Sequence, residues 1–481
     1  MKKAILPALM LLWASGAYAQ QPDGRPLSLD EAMRMTLTEN PEIKALGYER
    51  EAAVQQKKAA AGLRAPKIDV AAAYSYMGKD IDVDFNALKP GASKLAGDIL
   101  GPLVTGGVLP PSILGEAQAL MGADWAMTLQ ERQFGTVGGT VTLPVFTGGK
   151  INAANNAARL QIDEVDERGA QTRNALVSQL TERYFGLALA LQVVEVRKQV
   201  LEGMEVHLED AKALEANGII ARGERLYAEM HVAEAQQEYI KAKLQVETLR
   251  SALNNTLNTD EVFVPVTSMF LLREIEPVDH FKALAANNNP IIRQVGLKHD
   301  LAKEGVRLQR ADFMPQVALM GGGSFYNYKV SKMLPRWAVG AGIKLSIFDG
   351  LSREHKFTAA KRQVQQVAAL GDKADKDISV LIEKLYNEMR TYNDQMPSID
   401  AAMEFATEYL RIKDAAFREG MAPASDVVDA ELNLARIRTE RLQAAYYYDL
   451  MLARLLEAAG VSGDLAQYSK RLTAYPVRFD Q

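Results

Sequence analysis

From Lys150 to Ala216 the chain runs without a proline, and apolar residues recur at alternating three- and four-residue steps through Leu180, Tyr184, Leu187, Leu191, Val194, Leu201 and Leu208. That period keeps one face of an α-helix apolar. At 1.5 Å per residue such a helix is roughly 100 Å long, far beyond the three or four turns usual in globular proteins. A strand-like run ending in Leu143, Pro144, Val145 and Phe146 leads into it through Thr147, Gly148 and Gly149.

The same stretch occurs twice. Phe146, Tyr184, Gly218 and Leu253 recur as Phe348, Tyr386, Gly420 and Leu455 at a constant offset of 202. Asn40-Pro41 and Pro66 recur as Asn289-Pro290 and Pro315 at an offset of 249. The chain is therefore a tandem duplication, with about 47 extra residues between the two strands of the first copy.

A hydrophobic content of 48% and a charged content of 24% are those of a chain that folds. Its 481 residues would ordinarily suggest several domains, but the long helices argue against separate globules. Lys2 and Lys3 precede an apolar run from Ala4 to Trp13, and Ala17-Tyr18-Ala19 has the form of a signal peptidase site. We expect a cleaved secretory signal over residues 1–19; the run is too short for a spanning helix. Cleavage takes the net charge from −4 to about −6, which disfavours nucleic acid as a partner. The chain has no cysteine, so disulfides, thiol chemistry and an N-terminal lipidated cysteine are not expected. Export without disulfides fits the bacterial periplasm or outer membrane. No later segment offers 18 uninterrupted apolar residues, so a membrane crossing here has to be made by strands.

Ser28 and Glu31 form a capping-box pattern ahead of Leu29, Met33 and Leu37, and Asn40-Pro41 separates this helix from a second one ending near Leu63. After Pro66 the period falls to two. Ile68, Val70, Ala72, Tyr74 and Tyr76 alternate with polar or small residues, as do Val137, Val141, Leu143 and Val145. The second copy supplies Val317, Leu319 and Phe325, then Trp337, Val339, Ile343, Leu345 and Ile347. Four such segments of about ten residues match the length that crosses a bilayer at a tilt. Four strands cannot close a barrel, so other copies of the chain have to complete the wall; the competing reading is a soluble sandwich edge. The surplus residues, 78–133, read as an extracellular surface loop or short helices, with a second reading in which they fold inward and narrow the mouth.

Each long helix ends at a glycine, Asn217-Gly218 and Glu419-Gly420, and a second helix begins near Glu224 and Ser425. Each pair forms a hairpin too thin to bury both faces, which predicts packing against copies of itself. We divide the chain into a signal peptide (1–19), a first repeat (20–257), a connection (258–276), a second repeat (277–460) and a polar tail (461–481). The first repeat holds strands near 67–77 and 134–146 and a tip near 217–224; the second holds strands near 315–326 and 337–348 and a tip near 419–426.

The inventory argues against an enzyme. His207, His231, His280, His299 and His355 are scattered without metal-ligand spacing and read as surface helix residues, so no catalytic residue, metal or cofactor is expected. Gly148-Gly149-Lys150 lacks the first glycine and the hydroxyl residue of a phosphate loop, and Gly321 to Gly323 falls within a strand. Acids follow the tips: Glu224 after the first, and Asp426 and Asp429 one turn apart after the second. They read either as first-turn acids that favour the helix dipole or, with several copies around an axis, as a ring that attracts cations.

With these features in place the chain resembles the TolC-like outer-membrane efflux protein family. The resemblance rests on Leu29 to Ile43, the proline before each strand pair, Phe146-Thr147-Gly148-Gly149 and Phe348-Asp349-Gly350 after them, and the two tips. It implies a mixed α and β membrane protein, a homotrimer in which four strands per chain build a twelve-stranded outer-membrane β-barrel that continues into a periplasmic α-helical barrel. It also implies a periplasmic adaptor, or membrane fusion, protein docked on the tips and an inner-membrane pump behind it. By the resemblance, Asn217, Gly218, Ile219, Ile220 and Ala221 match the adaptor-contacting tip, with Gly420, Met421, Ala422 and Pro423 in the equivalent second position. Glu224, Asp426 and Asp429 match a periplasmic gate. Phe417 and Ala422 stand where some members carry tyrosine and arginine, so an arginine–carboxylate latch is not expected in that form. The function implied is a passive duct carrying small molecules such as drugs to the exterior. Protein secretion through the same duct is the runner-up, and a pore-free periplasmic coiled-coil scaffold the rival from another class.

Overall fold

The computed structural model describes residues 24–333 and 335–479, so the expected signal peptide lies outside the described residues. The elements run β1 (Arg25–Leu27), α1 (Leu29–Glu39), α2 (Pro41–Gly62), β2 (Lys67–Tyr76), β3 (Ile81–Asp84), α3 (Lys89–Thr105), α4 (Ser112–Gly122), β4 (Ala126–Gln130), β5 (Gln133–Phe146), α5 (Lys150–Ala216) and α6 (Arg222–Leu257). They continue through β6 (Phe263–Pro265), β7 (Met269–Leu272), α7 (Val278–Asn288), α8 (Pro290–Ala311), β8 (Gln316–Tyr328), β9 (Trp337–Lys344), α9 (Ser352–Arg418), α10 (Ala424–Ala459), α11 (Leu465–Tyr468) and β10 (Ala474–Val477). The duplication shows in the helix lengths: α5 and α9 each have 67 residues, α6 and α10 each have 36. α6 starts at Arg222, two residues before Glu224, and α10 at Ala424, one residue before Ser425, because the turns close directly behind Ala221 and Pro423, which carry no capping side chain.

Two compact units divide the chain: residues 55–159 with 302–362, and the remainder. The first holds a four-stranded antiparallel sheet in the order β2-β5-β8-β9. Its register puts Ile68, Val141, Gly321 and Val339 in one row and Val70, Gly139, Gly323 and Trp337 in the next. Side chains of one row share a face, so one face is continuously apolar. That face is bare, with Ile68 71% and Val339 78% exposed, and it carries an apolar groove of about 770 Å³. The opposite face presents Lys67, Asp69, Thr140, Thr142 and Lys344. Tyr74, Tyr76 and Tyr328 gather where the strands end at Tyr76 and Gln133, as an interfacial girdle does. Glycine at 138 is required by close approach, since a Cβ there would lie 2.7 Å from the Gly323 carbonyl oxygen. Strand β9 stops at Lys344 rather than at 348, because β8 begins at Gln316, opposite Lys344, and offers Leu345 to Phe348 no partner. Among the described residues of one chain, β2 pairs only with β5 and β9 only with β8, so both outer edges are unpaired there.

The second unit packs α5, α6, α9 and α10 around a core that includes Leu180, Tyr184, Phe185, Leu253, Phe281, Tyr448 and Leu452. Each copy fastens its Asn-Pro corner in the same way. Asn40 donates to the Thr256 carbonyl (3.1 Å) and accepts from the Glu42 N–H (2.9 Å); Asn289 donates to Ala458 (2.7 Å) and accepts from Ile291 (2.8 Å). One side chain thereby starts α2 or α8 and satisfies a late carbonyl of α6 or α10. The Tyr184 hydroxyl donates to Leu27 O and accepts from Val266 and Thr267 N–H, which ties the β1-β6 pair to α5. The end of the chain differs from the polar tail expected for 461–481. β10 pairs antiparallel with β7, Leu465, Tyr468 and Val477 are buried, and Arg471 grips Glu276 through two hydrogen bonds. Beneath it Asp449 is fully buried and accepts from Phe270 N–H; burial pushes its carboxyl well above the usual range.

Candidate functional site

Both helical hairpins turn by the same device. Gly218 has φ +76 and donates to Glu215 O, while Ile219 donates to Leu214 O; Gly420 has φ +71 and donates to Phe417 O, while Met421 donates to Ala416 O. These are paired Schellman closures, and they need a left-handed residue where glycine stands. They leave Ile219 56% and Met421 77% exposed, apolar side chains held out at the turns. Asn217, Gly218, Ala221, Gly420 and Pro423 are exposed as well, while Ile220 and Ala422 are half-buried.

The two tips of one chain touch. A Cβ on Gly420 would lie 2.8 Å from Ile219 Cγ2. Behind the turns Ala211, Leu214, Ala228, Phe417, Ala424 and Val427 form a small apolar cluster, apart from the main core. Phe417 is fully buried in it, its ring 4.4 Å from that of His207. Arg418 of α9 reaches Asp210 of α5 at 3.1 Å.

The three sequence-predicted gate acids have three different situations. Glu224 is half-buried and turns away from its own helix: its Oε2 accepts from the Ala424 N–H at 2.8 Å. It thus caps the first turn of α10, whose N-cap position is held by Pro423 and carries no capping side chain. Asp426 pairs with Lys413 at 2.6 Å, and that hydrogen bond raises the lysine pKa. Asp429 is exposed, and no ion pair involving it occurs among the described residues.

His207 corrects the expectation that every histidine is a surface residue, for it is only 3% exposed. Neither ring nitrogen makes a hydrogen bond of normal geometry. Burial holds its pKa below the usual value against the opposing pull of Asp414, Asp210, the Ala424 backbone and Glu224. It borders a cavity of about 430 Å³ that Glu202, Asp414, Arg418 and Glu431 also line. Burial raises the Glu431 pKa, with Arg438 opposing and Asp414 adding to it. The signal for His207 was its place in the seam, three residues after Met204 and four before Ala211, both buried. Glu224 gave no local signal, because its acceptor role depends on a backbone group 200 residues away.

No group of three or more His, Cys, Asp or Glu side chains that could hold a metal occurs among the described residues. No described helix is long and apolar enough to cross a membrane. The arrangement suits a contact surface and a latch.

Among solved structures, the CmeC outer membrane channel of Campylobacter jejuni shares the fold, with a TM-score of 0.69 and 16% identity over 95% of this chain and 94% of that one. Protein CyaE of Bordetella pertussis is 26% identical over 266 residues, 52% of this chain and 55% of that protein. The alkaline protease secretion protein AprF of Pseudomonas aeruginosa is 24% identical over 318 residues, 62% of this chain and 63% of that protein. The chain thus spans less than two thirds of the length of these two relatives. The family model described as outer membrane efflux protein matches residues 32–259 and 283–461, which takes in both hairpins and all four strands of the sheet: the chain belongs to the outer membrane efflux protein family, whose place is the outer membrane with an extension into the periplasm.

Proposed function

We propose that three copies of this chain form a passive export duct, each giving its four strands to a twelve-stranded barrel and its hairpins to a periplasmic helical barrel. The observation that carries this reading is the sheet, apolar on one face, polar on the other and unpaired at both edges. Unpaired edges are untenable in lipid, and a closed ring of copies removes them. Solute enters at the periplasmic tips and leaves through the barrel, with energy from an inner-membrane pump coupled through a periplasmic adaptor. The adaptor docks on Asn217 to Ala221 and Gly420 to Pro423, where Ile219 and Met421 offer bare apolar contacts. Glu224 and Asp426 hold the gate closed, and Asp429 faces the solute path.

Outer-membrane fractionation, chemical cross-linking to count copies and planar-bilayer conductance test the assembly. A trimer with small, long-lived channels supports it; a water-soluble monomer without conductance leaves the pore-free scaffold. For the tips, Gly420→Val places a Cβ against Ile219 at a positive φ and should abolish adaptor pull-down while trimers persist. Retained pull-down would remove the tip assignment.

For cargo, small-molecule efflux has a second reading beside it, protein secretion, favoured by the name of the relative AprF. Deleting the gene and comparing drug susceptibility with the proteins in the culture medium separates the two.

A further inference from the structure

The duplication carries strand register as well as helix length. Moved by the offsets 249 and 202, the β2-β5 pair Lys67 opposite Thr142 becomes Gln316 opposite Lys344, which is the register that β8 and β9 have. Ile68 opposite Val141 likewise becomes Val317 opposite Ile343. The two strand pairs therefore share one register, and β5-β8 is the junction that joins them.

That junction solves a problem which recurs, unsolved, at the sheet edge. β5 runs past the start of β2, and β8 receives the surplus, with Leu143 opposite Leu319 and Phe146 opposite Val317. β9 meets the same situation: Leu345 to Phe348 run past the start of β8, and no strand among the described residues receives them. Leu345, Ile347 and Phe348 are 53, 89 and 76% exposed there. At the opposite edge Ile68 and Val70 of β2 are bare too. Three antiparallel pairings in succession leave β9 antiparallel in sense to β2, so the β9 of one copy can lie on the β2 of the next as β5 lies on β8.

We propose that β9 of one copy pairs with β2 of its neighbour in the register of the β5-β8 junction. Carrying that junction over by the two offsets sets Leu345 opposite the partner's Val70, Lys344 opposite the partner's Ala71 and Ile343 opposite the partner's Ala72. This rests on the trimeric reading above and adds the register. The faces agree, although the offsets were taken from Phe146 and Pro66 without regard to face. Ile343 and Ala72 both belong to the apolar side of the sheet, Lys344 and Ala71 both to the polar side. A slip of one residue would turn the apolar side of one strand inward, so slips of two are the competitors. The pairing also gives Leu345 to Phe348 a ladder and extends β9 over 337–348, the span that its sequence period predicts.

The chain has no cysteine of its own, which leaves it clean for disulfide trapping. Three strand spacings, about 14 Å, separate positions 345 and 70 within one chain, beyond disulfide reach, so a bond between them joins two copies. The test builds Leu345→Cys into the full chain with Val70→Cys, or with Ile68→Cys or Ala72→Cys for the two slips, and oxidises each in its native outer membrane. An amine cross-linker counts copies in the same samples and in the unchanged protein. Reducible dimers and trimers at least about fivefold more abundant from the 345 and 70 pair than from either slip support the register. Ile343→Cys with Ala72→Cys, against Val70→Cys and Tyr74→Cys, decides the same question where the first set fails to assemble. Trimers present by amine cross-linking, with a slipped pair dominant, all pairs alike or none bonded, overturn the register and leave the trimer standing. Absence of trimers in the unchanged protein overturns both.

Discussion

The hydrogen bond from Ala424 to Glu224 allows a graded test of what holds the tips together. Ala424 is fully buried in the intact chain, so its N–H loses its acceptor when Glu224 is removed. A bond to a charged acceptor contributes about 1.5–3 kcal/mol, and the end of the helix dipole adds a few tenths more. Taking about 2 kcal/mol for a half-buried carboxylate, Glu224→Ala shifts the closed-to-open ratio about 30-fold toward open. Glu224→Gln keeps an acceptor oxygen and loses the charge; at about 1 kcal/mol the shift is roughly fivefold. Glu229→Ala is the control, because that exposed carboxylate only pairs with Arg225 on its own helix, and such pairs contribute below about 1 kcal/mol. Open probability of the purified trimer in planar bilayers reads all three, with the heat needed to dissociate the trimer as a check on folding. The expected order is Ala above Gln above Glu229→Ala, the last indistinguishable from the unchanged protein. If Glu224→Ala leaves open probability unchanged while trimers stay heat-stable, the bond is not a latch.

The pH response follows from His207, whose burial lowers its pKa in the folded state. The unfolded or opened state then binds the extra proton, so its contribution to the closed tips is complete above about pH 6.5 and is lost as pH falls through the lowered value. Protease sensitivity of the tips should therefore rise on acidification, less so in His207→Leu; equal responses would discard His207 as the cause. Asn289→Ala removes a corner that serves two helices and should lower stability by about 1–2 kcal/mol, read as earlier heat dissociation of the trimer, with Asn40→Ala similar. Asp429→Asn alone should weaken block by multivalent cations added from the periplasmic side, whereas Asp426→Asn should do so little because Lys413 already neutralises that carboxylate. An equal loss of block from both would place both acids on the solute path.

The duplication, the four strands and the two hairpins were legible because each rests on local periodicity, 3.6 for Lys150–Ala216 and 2 for Lys67–Tyr76, which sequence preserves residue by residue. What escaped depends on partners far along the chain. Nothing near Ala474–Val477 says that it pairs with Met269–Leu272, about two hundred residues earlier, so the segment read as a polar tail. Local rules left Glu224 either to the dipole of its own helix or to a ring of acids around an axis, while the chain uses it on another helix whose cap position holds Pro423. Distance also hid His207, whose place in the seam was visible but whose burial depends on Phe417 arriving from α9.

The two apolar clusters of the helical unit suggest how a gate can open without the protein unfolding. The main core joins α5, α6, α9 and α10 to the short strands and the end of the chain through large side chains such as Tyr184, Phe185, Phe281 and Tyr448. Behind the tips the buried set is Ala211, Leu214, Ala228, Phe417, Ala424 and Val427, half of it alanine, with Phe417 the one aromatic. Separating the tips exposes mainly the Phe417 ring and breaks Glu224 to Ala424 and Arg418 to Asp210, a few kcal/mol altogether. On the proposed function, an adaptor that binds the parted tips better by a few kcal/mol suffices to open them, whereas parting the main core would require several times more. A hinge therefore belongs between the clusters, and substitutions on the two sides of it should differ in kind: those at the tips should change how often the duct opens, those in the main core whether it assembles.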